Sequence, residues 1–283
     1  MSCELSRKHY FFSLLIDEIA YRAVKLINKR ALRRDELFKP LCASTTDLIG
    51  HRLVSTGIFE RTQIEALDTL LQRNNCLPNQ PVNSFDVFID VGANIGVYTT
   101  RYASKFRKTL AIEASPISFD VLKANIGLCQ SPNVVPICVG ASDREGTLPL
   151  NMHTKEMGWS SFAKSDCESF AIQVPLKTID QIVEEYAPGS IVSLMKVDVE
   201  GHEANVLRGA AMTLERYKPM VLYEKLSDVE GTECEDLLRA AGYREFVTFS
   251  RHINSLGLFS KTAVYAEAIA PENICHSALI CAY

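Results

Sequence analysis

Acidic side chains crowd one short stretch of the sequence, residues 195–210, "MKVDVEGHEANVLRGA". Asp198 ends an apolar run of the β type, Glu200 lies in the turn that follows, and Glu203 falls in the first turn of a predicted helix. The positive end of that helix dipole explains Glu203. It does not explain Asp198 or Lys196, which lie two residues apart and so on the same side of a strand. The pattern favours a site for proton transfer, where carboxylates act as general bases.

A fourth acid, Glu224, ends the next apolar run, "MVLYEK". Neighbouring parallel strands end at the same edge of a sheet, so we expect Glu224 and Asp198 to converge there. Converging carboxylates can take a proton from a hydroxyl group. They can also hold a divalent metal together with His202, and this alternative stays open. No residue is assigned as a metal ligand.

A glycine turn follows an earlier predicted strand, in "FIDVGANIGVYT". Gly92 and Gly96 permit positive φ angles and a close approach of the backbone to a ligand. The spacing differs from the GxGxxG of dinucleotide-binding proteins, and the acid Asp90 favours a cationic ligand group over a pyrophosphate. A nicotinamide-dependent oxidoreductase is therefore disfavoured. Asn94 adds an amide to the same turn.

The next predicted strand ends at Glu113, 23 positions after Asp90. An acid at this place suits the two hydroxyls of a ribose. A ribose together with a cationic group indicates S-adenosylmethionine rather than NAD. After the third strand, Ser142 and Asp143 occupy the loop that lies beside the adenine in this architecture, although this pair is also common in turns.

From residue 85 onward, short β-branched runs alternate with helical segments. They include a predicted strand over residues 133–142, a predicted helix opened by Ser115 and Pro116, and a predicted helix over residues 202–217. This alternation is typical of an α/β fold with a mostly parallel sheet covered by helices on both faces. Residues 143–176 break the rhythm and predict a hairpin or loop inserted after the third strand. Residues 1–74 predict an N-terminal helical extension, with Ile64, Leu67, Leu70 and Leu71 on one helix face. Residues 75–283 form the predicted α/β domain.

Composition narrows the class of protein. The 283-residue chain carries a formal charge of −4, so no basic bias points to a nucleic-acid partner. Its nine cysteines are scattered and form no CxxC, which favours a reducing, cytoplasmic location. No uninterrupted apolar run approaches the roughly 18 residues of a membrane span, so no transmembrane segment is expected.

Several of these stretches together resemble the FkbM-type methyltransferases, which are class I, S-adenosylmethionine-dependent enzymes. The resemblance runs from about residue 45 to about residue 245, and its motifs are "GIFE", "FIDVGANIGVYT", "GASDREGTLPL", "LKTIDQI", "LMKVDVEGHEANVLRGA" and "PMVLYEK". It implies a Rossmann-like, seven-stranded, mostly parallel sheet whose last strand is antiparallel. It also implies S-adenosylmethionine as the cofactor.

The resemblance implies roles for individual positions in this sequence. The residues that would bind the cofactor, from its methionine part through the ribose to the adenine, are Asp90, Gly92, Asn94, Gly96, Glu113, Ser142 and Asp143. Those that would form the catalytic rim are Lys196, Asp198, Glu200, Glu203 and Glu224. Residues 159–162, "WSSF", would lie on the inserted loop over the acceptor.

The leading hypothesis is O-methylation of a hydroxyl group on a small molecule or sugar, with Asp198 or Glu224 as the base. Methylation of a nitrogen or of a carboxyl group is the alternative within the same fold. A non-catalytic module that binds S-adenosylmethionine is the alternative outside enzymes, because fold alone does not establish activity. The sequence does not identify the acceptor.

Overall fold

The computed structural model describes residues 41–43, 48–56, 59–73, 85–153, 169–225, 228–252, 263–268 and 278–282. The chain divides into two compact units, one of residues 1–39 and 43–59 and the other of residues 40–42 and 60–283. The smaller unit contributes one described helix, α1 (Leu48–Thr56). The expected division of the chain between residues 74 and 75 stays a prediction. Residues 159–162 lie outside the described residues.

The larger unit alternates strands and helices, as the sequence predicts. Its described elements are α2 (Arg61–Arg73), β1 (Phe85–Val91), α3 (Val97–Tyr102), β2 (Phe106–Ile112), α4 (Pro116–Leu128), β3 (Val134–Ile137), β4 (Gly140–Ala141), β5 (Gly146–His153), β6 (Ser169–Lys177), α5 (Ile179–Tyr186), β7 (Val192–Val197), α6 (Glu203–Arg208), α7 (Ala211–Tyr217), β8 (Met220–Lys225), α8 (Asp228–Ala240), β9 (Phe246–His252), β10 (Ala263–Ala268) and β11 (Ala278–Ala282). A 3-10 turn, Ala103–Lys105, joins α3 to β2.

The main sheet has the strand order β10-β9-β11-β8-β7-β1-β2-β3. The five strands from β3 to β8 in this order pair in parallel. The last strand, β11, is antiparallel to both β8 and β9, which confirms that part of the prediction. The predicted count of seven strands is wrong among the described residues, where there are eight. The extra strand is β10, which pairs with β9 at the edge of the sheet.

A second, three-stranded sheet confirms the predicted insertion after the third strand. It has the order β4-β6-β5, and β5 and β6 form an antiparallel ladder from Gly146↔Leu176 to His153↔Ser169. The single strand predicted across residues 133–142 is instead two strands in two sheets, because β4 pairs with β6 rather than extending β3.

The core forms where the central strands are covered on both sides. Ile89 and Val91 of β1 and Met195 of β7 are fully or almost fully buried among the apolar side chains of α5–α8. Phe88, on the other face of β1, contacts the rings of Tyr102 and Phe106. The predicted apolar face of α2 is also confirmed, since its four members Ile64, Leu67, Leu70 and Leu71 are buried.

The helices begin and end for identifiable reasons. The Ser115 hydroxyl accepts a hydrogen bond from Ser118 N, and Pro116 stands in the first turn, so α4 begins where the sequence predicts. The predicted continuous helix over residues 202–217 is wrong, because the chain breaks between α6 and α7 at Gly209. A Cβ atom there would lie 2.0 Å from Ser142 O. None of the described helices is long and apolar enough to cross a membrane.

Asn125 of α4 connects two neighbouring segments by hydrogen bonds, and its replacement is therefore expected to lower stability. Its fully buried amide donates to Ile95 O (2.7 Å) and to Cys42 O (3.0 Å), and its Oδ1 accepts from Cys42 N (2.6 Å). Asn125→Ala should lower the free energy of unfolding by about 2–3 kcal/mol, because buried backbone groups lose their partners. Urea denaturation measures this. Lys123→Ala, exposed on the same helix, is the control, and equal losses in the two variants would contradict the prediction.

Candidate active site

The glycine turn lies directly after β1 and begins α3. Gly92, Asn94 and Gly96 all have positive φ, at 73°, 50° and 89°. A Cβ atom on Gly92 would lie only 1.8 Å from Asp198 O, so the backbone of the loop after β7 fills the space beside this glycine. The glycine thus lets the turn pack against the loop that carries the acidic residues. Its predicted place in the cofactor site stays a prediction.

Asp90 and Lys196 are opposite each other in the β1–β7 register and meet beneath this turn. Asp90 is fully buried, accepts a hydrogen bond from the Thr99 hydroxyl (2.5 Å), and has an oxygen 3.8 Å from Lys196 Nζ. Lys196 Nζ also donates to Asp198 (2.9 Å) and lies 4.9 Å from the centre of the Tyr98 ring. The site therefore places a buried ammonium group between two carboxylates.

The pKa values of this pair reflect burial and charge together. Burial raises the pKa of Asp90, although the Lys196 charge and the Thr99 hydroxyl oppose it. Burial alone would lower the pKa of Lys196, but the Asp198, Asp90 and Glu60 carboxylates outweigh it, and the pKa of Lys196 is raised. Lys196 is therefore a fixed positive charge rather than a proton donor at neutral pH.

Glu113 ties the turn after β1 to the turn after β2. Its buried carboxyl group accepts hydrogen bonds from Asn94 N (2.7 Å) and Ser115 N (2.8 Å). Burial raises the pKa of Glu113 to about 7, while these two hydrogen bonds and the Lys196 charge oppose that rise. The structure thus brings Glu113 to the glycine turn. The role predicted for it, binding of a ribose, stays a prediction.

Ser142 and Asp143, the predicted adenine neighbours, connect to the acidic loop through His202. The Arg208 guanidinium donates to Asn205 Oδ1, so the Asn205 amide nitrogen faces His202 Nδ1 at 3.0 Å and donates to it. His202 Nε2 then carries the proton and donates to the Ser142 hydroxyl oxygen at 3.0 Å. Burial lowers the pKa of His202, so the imidazole is neutral at neutral pH.

The carboxyl groups of Asp198, Glu200 and Glu224 converge at the carboxyl edge of the sheet. One oxygen from each lies within 4.8 Å of the other two. Burial, followed by the charges of Asp198 and Glu200, raises the pKa of Glu224 to about 9. Burial and the same kind of repulsion raise the pKa of Glu200 to about 7. Glu224 therefore holds a proton at neutral pH and shares it with Asp198 by a hydrogen bond.

Glu203 differs from the other predicted members of the catalytic rim. It is almost fully buried, and its carboxyl group accepts hydrogen bonds from Val199 N (3.0 Å) and Gly201 N (3.1 Å). Burial raises its pKa to about 7. These bonds show that Glu203 holds the shape of the loop on which Glu200 lies. Its predicted place in the catalytic machinery stays a prediction.

Three residues that the sequence analysis does not assign also reach the site: Glu60, Tyr98 and Thr99. Thr99 binds Asp90, and the Tyr98 ring packs under the Lys196 ammonium. The pKa of Glu60 is raised by burial first and then by the Asp198 charge. The one signal in the sequence was the motif "GIFE", which ends at Glu60 and belongs to the stretches that resemble the family.

The residues present suit a cationic cofactor with polar groups. Asp90 Oδ1, at the end of β1, and Asn94 Oδ1, in the glycine turn, are buried and have no hydrogen-bond partner within the described part of the chain. Such acceptors suit a ligand that carries N–H donors. The three converging carboxylates have the spacing of a divalent-cation site. His202 is not among them, because its ring nitrogens bind Ser142 and Asn205, so the metal set that includes His202 is wrong.

A glycine turn after β1, an acid after β2 and an acidic edge at β7 and β8 on this sheet define a class I methyltransferase fold. The chain matches the family model of the methyltransferase FkbM domain over residues 90–245, which is more than half its length. It belongs to the FkbM methyltransferase family. The resemblance seen in the sequence is thereby confirmed, and with it the fold class and S-adenosylmethionine as the cofactor.

Proteins similar to this chain are named as methyltransferases and come from different organisms. The chain is 30% identical over 199 residues to the methyltransferase sdnD of Sordaria araneosa, covering 59% of this chain and 76% of sdnD. It is 30% identical over 160 residues to the hexuronic acid methyltransferase AglP of Haloferax volcanii, covering 55% of this chain and 62% of AglP. Among solved structures, the METTL16 methyltransferase domain superposes with a TM-score of 0.51 at 10% identity, covering 93% of this chain and 80% of that domain. That last likeness concerns the fold alone.

Proposed function

We propose that this protein transfers the methyl group of S-adenosylmethionine to a hydroxyl oxygen of a small molecule or sugar. The observation that carries the proposal is the convergence of Asp198, Glu200 and Glu224 beside the glycine turn. The cofactor supplies a methyl carbon made electrophilic by its bond to a positively charged sulfur. What the acceptor needs from the protein is removal of its hydroxyl proton.

The chain's own residues divide this work between binding and proton transfer. The glycine-turn acids and amides, with Glu113, would bind the cofactor. Asp198 or Glu224 would accept the hydroxyl proton, because their carboxyl groups converge at the edge of the sheet and the pKa of Glu224 responds to nearby charge. Lys196 would hold the Asp198 carboxyl group in place through its 2.9 Å hydrogen bond. Positioning of the acceptor oxygen would supply much of the remaining rate.

Among the acceptor classes, hydroxyl and amine groups suit this site better than a carboxylate. The described site carries an excess of acids, and its cation Lys196 is already paired with Asp198 and Asp90. A carboxylate acceptor would meet repulsion there. Methylation of an amine is the second candidate, because the acidic cluster would attract a protonated amine and then take its proton. AglP, which acts on a hexuronic acid by its name, adds acidic sugars and their hydroxyl groups to the acceptor screen.

The first experiment is calorimetric titration of the purified protein with S-adenosylmethionine, followed by a screen of sugar, phenol and amine acceptors. Micromolar binding and methylation of an oxygen, located by mass spectrometry of the product, would support the proposal. Absence of binding by folded protein would contradict the proposed function. Binding without turnover on any acceptor would favour the non-catalytic module, and methylation of nitrogen would favour the second candidate.

Glu113 provides the matched test of the cofactor site. Glu113→Ala should weaken S-adenosylmethionine binding by about tenfold or more, because the ribose loses a charged acceptor. The Glu113 carboxyl also binds Asn94 N and Ser115 N, so thermal unfolding must accompany the titration. Asp120→Asn, on the exposed surface of α4, is the control and should bind normally. Unchanged affinity in folded Glu113→Ala would remove Glu113 from the cofactor site.

A further inference from the structure

Glu60 lies outside the sheet and is the residue that immediately precedes α2. Its carbonyl oxygen accepts the hydrogen bond of Ile64 N (3.0 Å), so its backbone opens the helix. Its φ of 51° lies in the left-handed region, which costs a residue other than glycine roughly 1 kcal/mol. Such local strain is common at functional sites, where the side chain is needed although the backbone would favour glycine.

Helix α2 is held firmly where it positions Glu60. Asp68 accepts hydrogen bonds from Arg101 (2.6 Å) and Lys105 (2.9 Å). The Tyr102 hydroxyl donates to Ile64 O (3.3 Å). These bonds tie α2 to the segment of α3 and its 3-10 turn, which follows directly on the glycine turn. Glu60 is therefore fixed beside the turn by the fold rather than lying on a free loop.

The charges around Glu60 leave the site with a surplus of negative charge. Asp198, Lys196, the Tyr98 hydroxyl and Asp90 act most strongly on its carboxyl group, after burial. Lys196 is the cation of this group, and it already lies 2.9 Å from Asp198 and 3.8 Å from Asp90. Three carboxylates thus act on one ammonium group in a largely buried place. A second cationic group brought by a ligand would balance them.

We propose that Glu60 binds the α-ammonium group of the methionine part of S-adenosylmethionine. The inference rests on the proposed function, because it requires the cofactor to bind at the glycine turn. An ammonium group has three N–H donors and suits a carboxylate, and Asp90 Oδ1 and Asn94 Oδ1, which accept no hydrogen bond within the described residues, offer further acceptors. The sulfonium has no such donors. Glu60 is accordingly a cofactor-binding residue that lies before the matched family region of residues 90–245.

Three ligands separate the ammonium group from the rest of the cofactor. S-adenosylmethionine carries the ammonium and the sulfonium, S-adenosylhomocysteine carries the ammonium alone, and 5′-methylthioadenosine carries neither. In calorimetric titrations, Glu60→Gln should weaken the first two about equally, by about tenfold or more. Its affinity for 5′-methylthioadenosine should stay within about twofold of the unmutated protein. Loss for S-adenosylmethionine alone, equal loss for all three ligands, or no loss would each overturn the assignment.

Two further variants provide a control and a second test of the same residue. Glu65→Gln, on the same helix and paired with Arg61 at its surface, should bind all three ligands normally. Glu60→Gly suits the left-handed backbone, so it should fold at least as well as the unmutated protein and lose the same two affinities. An unmutated protein that binds no S-adenosylmethionine overturns the proposed function and this inference together. Normal binding that neither Glu60 variant weakens overturns this inference alone.

Discussion

Gly92→Ala is expected to leave little or no folded protein. The added Cβ would lie 1.8 Å from Asp198 O and 2.9 Å from Asp198 C, and both are backbone atoms. Asp198 N in turn donates to Val91 O (3.1 Å), so the loop cannot withdraw without breaking the continuation of the β1–β7 ladder. The positive φ of Gly92 adds a cost of its own. We expect a loss of at least about 4 kcal/mol, a large share of a domain's net stability.

Gly189→Ala separates the two contributions to that loss. Gly189 has nearly the same φ, 71° against 73° at Gly92, but a Cβ atom there would meet no other atom within 4 Å. Its replacement should therefore cost only the left-handed backbone, about 1 kcal/mol. Urea denaturation of both variants provides the comparison. Similar losses at the two positions would show that contact with the acidic loop does not decide the stability of the glycine turn.

Much of the sheet was predictable because its signals are local. The β-branched runs mark β1, β2, β7 and β8, and the polar residue at the end of each run marks the edge where a site forms. The same reasoning predicted an inserted hairpin or loop from the break in rhythm across residues 143–176. Each of these depends on residues within one element and its neighbouring turns.

The errors in the fold arise from contacts between segments far apart in the sequence. The helix break falls at Gly209, where Ser142 O, from a distant segment, leaves no room for a Cβ atom. The split of β3 from β4 depends on pairing of β4 with β6, a strand about 30 residues further on. The edge strand β10 lies in a stretch that matches no motif of the family.

The candidate site shows the same division. The strand ends predicted that Asp198 and Glu224 would converge, and the structure brings them together with Glu200. Sequence alone did not show which side chains would be bound by backbone N–H groups. The Glu203 carboxyl group is bound in this way by Val199 N and Gly201 N. The sequence also did not place Glu60, which lies 138 positions before Asp198 and reaches the site only because α2 packs beside α3.

Glu224→Gln should lower the turnover number at least a hundredfold while leaving S-adenosylmethionine affinity within a few-fold of the unmutated protein. A general base contributes roughly a hundred- to ten-thousandfold to a rate, and glutamine cannot accept the hydroxyl proton. Asp198→Asn should cost at least as much, because it also removes the nearer of the two carboxylates that pair with Lys196. Steady-state kinetics with the acceptor identified by the screen, together with titration calorimetry, measures both effects.

The raised pKa of Glu224 determines the direction in which the rate should change with pH. Because the pKa of Glu224 is raised to about 9, the group must lose its proton to act as a base, so the rate should rise with pH up to about that value. The rise should be absent in the residual activity of Glu224→Gln. The free energy of unfolding should fall over the same pH range. A carboxyl group whose pKa is about 9 in the folded protein and 4.5 in the unfolded chain favours folding below pH 4.5 and loses that contribution as pH rises to about 9.

The unfolding temperature of Glu224→Gln minus that of the unmutated protein should therefore be larger at pH 8 to 9 than at pH 5. The reason is that glutamine has no charge to bury. Loss of turnover combined with this gain in alkaline stability separates a proton-accepting role from a merely structural one, since a structural residue would lose both. Glu245→Gln, which is exposed, is the control and should change neither property. Full turnover in both Glu224→Gln and Asp198→Asn would show that these carboxylates do not take the acceptor proton.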